Sequence, residues 1–185
     1  LGSSLNHRIQ AFQPNGILDA QWGKGGVADL VKGLPFGLAI DGLGMVYVAD
    51  VANRSIQILD GAGVEVNRIT NEVFKNIVDM QIAQDGTLYV ADQDTRSLHV
   101  FMEDVYKQSI PLPAPPRAIT ADRDGQLYVA LTNGTILQLS PNGTVLQEWV
   151  ATDQHPWHGL TGLTTWRNRL YLVSQNLATV WAFSP

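Results

Sequence analysis

Val46-Tyr47-Val48-Ala49-Asp50 returns as Leu88-Tyr89-Val90-Ala91-Asp92, then as Leu127-Tyr128-Val129-Ala130-Leu131 and Leu170-Tyr171-Leu172-Val173-Ser174. The four tyrosines stand 42, 39 and 43 residues apart. Each run is short, apolar at consecutive positions and rich in β-branched and aromatic residues. That pattern reads as a strand covered on both faces, because a strand with one wet face would alternate. Self-similarity at such a period marks a repeat architecture.

The neighbours of each run complete the unit. A second apolar run follows it, at Ile56-Gln57-Ile58-Leu59, Leu98-His99-Val100-Phe101, Ile136-Leu137-Gln138-Leu139 and Val180-Trp181-Ala182-Phe183, and Ile9-Gln10-Ala11-Phe12 is of the same kind. A strand is also expected before each one, from Gly37 to Asp41, Asp79 to Ala83, Ala118 to Asp122 and Gly162 to Thr165. Asp85-Gly86 and Asp124-Gly125 are hairpin signals between these strands, and Asp41 to Gly44 is a slightly longer version. A more polar fourth strand closes each unit, at Val64 to Ile69, Tyr106 to Leu112, Thr144 to Trp149 and Ile17 to Trp22. Gly61-Ala62-Gly63, Asn142-Gly143 and Asn15-Gly16 supply the turns before three of them. Four short antiparallel strands in roughly 40 residues make a β-propeller blade. The fold class is therefore all-β, a propeller of four-stranded antiparallel blades. Helical periodicity is nearly absent; Ala28 to Lys32 has room for one turn.

Composition agrees and narrows the function classes. Of 185 residues 45% are apolar and 16% charged, with a net charge of −5. That is too apolar for a disordered chain. The longest apolar runs span only a few residues, so no membrane-spanning helix fits. No cysteine is present, which excludes disulfides, cysteine–zinc sites and a cysteine nucleophile. The acidic balance argues against nucleic acid as a partner. The compartment stays open, with an extracytoplasmic or secreted location favoured.

These residues resemble a known family. Pro35-Phe36-Gly37-Leu38-Ala39-Ile40-Asp41, through Val46-Tyr47-Val48-Ala49-Asp50, to Asn53-Arg54-Ser55-Ile56-Gln57 looks like one complete NHL repeat. Asn6-His7-Arg8-Ile9-Gln10-Ala11-Phe12 matches the latter part of another, and Gly23-Lys24-Gly25-Gly26 resembles the family's inter-blade loop. The third repeat departs from the pattern with Leu131 in place of Asp, and the fourth with Ser174 there and a turn one residue shorter. The resemblance implies a six-bladed propeller acting as a rigid binding platform. Expected blades are 1–33 (partial), 34–75, 76–114, 115–157 and 158–185 (partial), seventeen strands in all against the ~24 of a six-bladed ring. The chain is thus expected to be an arc of a larger propeller, its open faces covered by missing strands or by an oligomer partner.

Propeller geometry sorts the loops into two rims, and the rim of inter-blade and second-to-third-strand connections holds the more suggestive residues. Asp153-Gln154-His155-Pro156-Trp157-His158-Gly159 brings two histidines and a tryptophan to the mouth of a blade. Asp79 takes the repeat slot held by Gly37, and Arg117 lies one position before that slot in its blade, as Phe36 does before Gly37. Aromatic and arginine side chains anchor partners, so Phe36, Asp79, Arg117, His155, Trp157 and His158 form the expected binding set. Its ligand would be a protein or peptide, or a small molecule in the channel, with no cofactor. The alternative is a metal-dependent hydrolase or lyase, since six-bladed relatives include both. There Asp79, His155 and His158 would be the ligands supplied to calcium or zinc, although zinc normally takes three or four. Asp50, Asn53 and Arg54, repeated as Asp92, Thr95 and Arg96, read instead as loop-fixing residues. No catalytic residue is assigned, because no Gly-x-Ser-x-Gly elbow or phosphate-binding glycine motif is present.

Overall fold

The computed structural model describes residues 2–3, 8–29, 35–152, 157, 159–167, 169–174 and 179–183. It divides into two compact units, Leu1–Ile77 and Val78–Pro185. The first unit holds β1 (Gly2–Ser3), β2 (Arg8–Gln10), β3 (Val27–Asp29), β4 (Pro35–Ile40), β5 (Val46–Asp50), β6 (Ser55–Leu59) and β7 (Glu65–Thr70). β8 (Ile77–Ile82) opens the second, followed by β9 (Leu88–Asp92), β10 (Ser97–Met102), β11 (Val105–Pro111), β12 (Pro116–Ala121), β13 (Leu127–Leu131), β14 (Thr135–Leu139), β15 (Val145–Val150), β16 (Leu160–Trp166), β17 (Arg169–Ser174) and β18 (Thr179–Phe183). The strands form three four-stranded sheets, β4 to β7, β8 to β11 and β12 to β15, and two three-stranded ones, β1 to β3 and β16 to β18. Each sheet runs in chain order, and every resolved pairing is antiparallel. These are propeller blades, and the fold is all-β.

One turn chemistry builds most of the hairpins. In Gln13–Ile17, Asp41–Met45, Asp60–Val64, Ala83–Thr87, Asp122–Gln126 and Ser140–Thr144, the first residue takes the amide of a glycine in the fourth place and donates to the carbonyl of the fifth. Those glycines all have φ between 78° and 90°, the left-handed region that a side chain disfavours. Where the first residue is aspartate, one carboxylate oxygen also takes two more amides, those of Leu43 and Met45 at Asp41, of Ala62 and Val64 at Asp60, and of Asp124 and Gln126 at Asp122.

The apolar runs alternate between two cores rather than between core and water. In the second unit, Leu127, Val129 and Leu131 of β13 pack with Tyr89, Ala91, Leu98 and Val100 of the preceding sheet. Tyr128 and Ala130 point the other way, to Leu160, Leu170 and Leu172 of the following sheet. No residue of β13 is more than 2% exposed. The inner strand β12 lies against both β16 and β9. In the first unit Ile9, Trp22 and Ala28 pack on Val48 and Leu59.

The repeat also carries a buried polar slot. Asp50 takes the amide and side-chain nitrogen of Asn53 (3.2 and 2.7 Å), and Asp92 takes the amides of Asp94 and Thr95 (3.1 and 3.0 Å). These are the loop-fixing roles expected of the pair. His99 lies buried beside Asp92, with Nε2 4.0 Å from the carboxylate, and its Nδ1 shares a hydrogen bond with Ser109 Oγ (2.7 Å). Burial lowers the His99 pKa and Asp92 opposes that shift. In the next blade Leu131 and Leu137 replace Asp and His together. A buried polar group without its partner is costly, so the two positions change as a pair.

The first sheet corrects the expected strands. Ile17 to Trp22 is not a fourth strand. A lone bridge joins Phe12 to Leu18, and the chain then turns, Asp19 taking the amides of Gln21 and Trp22. Gly23, Gly25 and Gly26 all sit at positive φ and carry the chain on to β3, which pairs with β2. Ala28 is accordingly in a strand and not in a helical turn. β1 adds a short strand beside β2, so eighteen strands form among the described residues. Its register pairs Ser3 with Arg8 as Asp50 pairs with Ser55 and Asp92 with Ser97.

Two glycines test the packing separately from the turn. Gly86 and Gly143 share a φ near 85–90°, but a Cβ at Gly86 meets nothing within 4 Å whereas one at Gly143 falls 2.6 Å from Ile110 Cγ2. Gly86→Ala is expected to lose about 1–2 kcal/mol for the left-handed backbone alone. Gly143→Ala should lose ~1–3 kcal/mol more, for displacing a buried isoleucine. Urea unfolding midpoints measure the difference; equal losses would mean the contact between β11 and the β14–β15 turn is slack.

Candidate functional site

The first strand of each blade is an edge strand of its sheet. In three blades this strand opens with a register shift. The shift lies between Pro35 and Leu38 in β4, Pro116 and Ala118 in β12, and Leu160 and Gly162 in β16. The residue before each shift is buried, and the one after it is exposed: Phe36 (66%), Arg117 and Thr161. A bulge re-aims a side chain while the ladder continues on either side. Sequence reasoning found Phe36 and Arg117 but missed Thr161. Setting the tyrosine runs in register would have exposed it, since Phe36 and Arg117 stand eleven residues before their tyrosines and Thr161 stands ten.

Asp79 lies on β8 in the slot that glycine or alanine fills elsewhere, at Gly37, Ala118 and Gly162. Its Oδ2 accepts the amide of Ile119 on β12 (2.9 Å) and its Oδ1 that of Met80 (2.9 Å). Burial pushes the carboxyl above its ordinary pKa, and the two amides oppose that shift. Both oxygens are thus already engaged by main-chain donors, which makes Asp79 a staple between blades. Among the described residues, Asp79 and Arg117 do not pair, and Arg117 has no carboxylate within 4 Å.

Trp157 is 5% exposed and packs with Ala118, Tyr128, Ala130, Ile136 and Leu160. Its Nε1 donates to the Gly134 carbonyl (3.1 Å). The anchor expected at Trp157 is therefore inside the fold, where it ties the inter-blade connection to the β13–β14 turn. His155 and His158 lie outside the described residues, as does His7. Among the described residues no three histidine or carboxylate side chains gather as metal ligands, and no helix is long and apolar enough to cross a membrane.

The structure brings Asp79, Arg117, Thr161 and Trp157 to the blades of the second unit and Phe36 to the first. No protein-family model matches the sequence, and no curated protein matches it. Solved structures do match by shape. A streptogramin B lyase superposes with a TM-score of 0.73 at 14% identity, over 98% of this chain and 63% of that one. Virginiamycin B lyase from Staphylococcus aureus gives 0.72 at 12% identity, over 98% and 64%. A protein of unknown function from Bacteroides caccae gives 0.72 at 14% identity, over 91% and 64%. The chain has a β-propeller fold. It spans less than two thirds of the length of each of these three, and identity this low extends the likeness to fold alone.

Asp79→Asn tests the staple through pH. Desolvation sets the folded-state pKa of this carboxyl above its unfolded value, so between the two values the native protein binds the extra proton. Stability from this group is therefore greatest below that window and declines as pH rises through it. Asparagine has no charge to desolvate. The stability advantage of the wild type over Asp79→Asn is expected to shrink from acid towards neutral pH in thermal melts, and a gap independent of pH would contradict the buried carboxylate.

Proposed function

We propose that this chain is part of an NHL-type, six-bladed propeller that serves as a rigid binding module. Its ligand or partner is taken up on the rim where inter-blade and second-to-third-strand connections emerge. One observation carries the reading: in the second unit the bulge at the head of the first strand presents Arg117 and Thr161 from equivalent places on β12 and β16, and in the first unit the same bulge presents Phe36 on β4. A guanidinium and a hydroxyl on neighbouring strands offer a charged fork and a hydrogen bond, a mixture suited to a protein or peptide. Asp79 and Trp157 support this rim from within by fixing the strands and the connection that carry the exposed groups. His155 and His158, next to Trp157 in sequence, belong to the same proposed rim.

A lyase is the second reading, favoured by neighbours that are streptogramin B and virginiamycin B lyases. One of the solved neighbours is a catalytically inactive virginiamycin B lyase with quinupristin. In this reading the ion would be calcium or zinc. Asp79 and the histidines His155 and His158 would be the ligands that this chain supplies, fewer than the four that zinc usually takes.

The two readings separate in one pair of measurements. Peptides selected on the protein from a displayed pool should lose about ten-fold or more in affinity to Arg117→Ala, as hot-spot truncations do. Quinupristin should remain intact in the presence of the protein by mass spectrometry. Opening of quinupristin, together with a divalent ion retained on dialysis and lost in His158→Ala, would overturn the binding-module reading in favour of the lyase.

A further inference from the structure

The other ends of β12 and β16 carry a cleft that the rim above does not include. Its volume is about 400 Å³. One wall is the β12–β13 turn with Asp122, Arg123 and Asp124; the other is the β16–β17 hairpin with Trp166, Arg167 and Arg169; Tyr128 and Thr165 form the floor.

The uncharged floor groups are already engaged. Asp122 takes the amides of Asp124 and Gln126 on one oxygen and the Tyr128 hydroxyl on the other (3.2 Å). Tyr128 also accepts from Gln138 Nε2 (3.1 Å), and Thr165 donates to the Ala121 carbonyl (2.8 Å). Burial, then the neighbouring Asp122, pushes the Tyr128 pKa up to about 12, so its hydroxyl remains a neutral donor.

The cations are a different matter. Among the described residues, none of Arg123, Arg167 and Arg169 has a carboxylate within 4 Å. The hairpin is closed by the Trp166–Arg169 pair. Arg167 sits in it at φ 46°, as Glu103 and Asp104 do (50° and 61°) in the two-residue turn between β10 and β11. This left-handed backbone is costly for a residue with a side chain. The Arg167 guanidinium lies over the Trp166 ring, 5.3 Å from the centroid. Trp166 itself is 55% exposed. An oriented guanidinium fork beside an open aromatic surface matches a planar anion with an organic body.

Charge sets the class of anion. Three arginines face two aspartates, which leaves a single net positive charge on a chain of net −5. A singly charged carboxylate neutralises that balance, whereas a dianionic phosphate would leave a surplus negative charge beside Asp124. We propose that this cleft binds an organic carboxylate, its oxygens on Arg167, Arg169 and Arg123 and its apolar part against Trp166. The carboxylate belongs either to a free small acid or to the terminus of a peptide.

Isothermal titration with benzoate tests this, with benzamide as the neutral isostere. Benzoate should bind at least about ten-fold more tightly than benzamide, as expected for charge-assisted pairing with a guanidinium. Arg169→Gln and Arg123→Gln should each weaken benzoate about ten-fold, with thermal melts confirming that both variants fold, while Lys107→Gln on β11 leaves it unchanged. Equal binding of benzoate and benzamide, no change in either arginine variant, or inorganic phosphate displacing benzoate with equal affinity would overturn the assignment. A phenylalanine-terminated peptide with a free carboxylate that outcompetes both benzoate and its own amide upholds the proposal with a peptide as source. A peptide no tighter than benzoate upholds it with a free acid.

Discussion

Both faces of the second strand of a blade are apolar, and only another sheet can cover them. β13 states the constraint most plainly: its five residues divide between two cores, and all are essentially removed from water. Burying a Leu or Val side chain contributes about 1.5–3 kcal/mol. The strand therefore supplies on the order of 10 kcal/mol, an upper value because the unfolded chain is already partly collapsed. None of that stabilisation exists for a blade alone. Packing is thus what selects the repeat, and the hydrogen-bonded ladder within each sheet fixes only its register.

Polar variation is confined to places where this packing permits it. The buried Asp92–His99 pair and the Leu131–Leu137 pair are alternative solutions for one slot, each consistent within itself. Hydrogen bonds and apolar packing are both acceptable there; a mixture of the two would strand a polar group. The first unit solves the same slot a third way. Arg68 reaches Asp50 (3.7 Å) and forms two hydrogen bonds to Glu65, which in turn accepts from Gln57. Arg68 is raised and Glu65 lowered in pKa chiefly by that mutual hydrogen bonding. Both are partly exposed, so the gain is modest.

Much of this was legible in the residues. The tyrosine runs announce a strand covered twice because they do not alternate, and the Asp-Gly and Asn-Gly signals announce the turns because few other residues accept the required φ. The Ser3–Arg8 register also follows from aligning Asn6 with Asn53. What escaped depends on distances that no local pattern records. Ile17 to Trp22 has the composition of a polar strand, yet three consecutive-range glycines at positive φ let the chain loop past it to β3. Trp157 stands in a Pro-, His- and Gly-rich connection that reads as surface; its burial is set by packing against Tyr128 and Leu160 and by a hydrogen bond to the Gly134 carbonyl. Asp79 was visible as an odd charge on an inner strand, but its partner is an amide forty residues away, and main-chain donors leave no mark in sequence. The cleft escaped for the same reason, since its two walls come from turns of different blades.

That last point bears on how a repeat scaffold acquires sites at all. β12 and β16 are each a rigid rod with two ends, and packing dictates only the middle. At one end the bulge exposes Arg117 and Thr161; at the other the turns expose Arg123, Arg167 and Arg169. Substitutions at either end leave the two cores untouched, so the ends are free to differ in charge and shape while the strands hold them at fixed separation. Arg167 shows that a turn can carry a charged side chain even in the left-handed region. Glycine would be the relaxed choice at φ 46°, yet Arg54, Arg96, Glu103 and Asp104 take the same region in other turns of the chain. Strain of about 1–2 kcal/mol is tolerable in such a place because β16, packed against β12 and β13, anchors the hairpin.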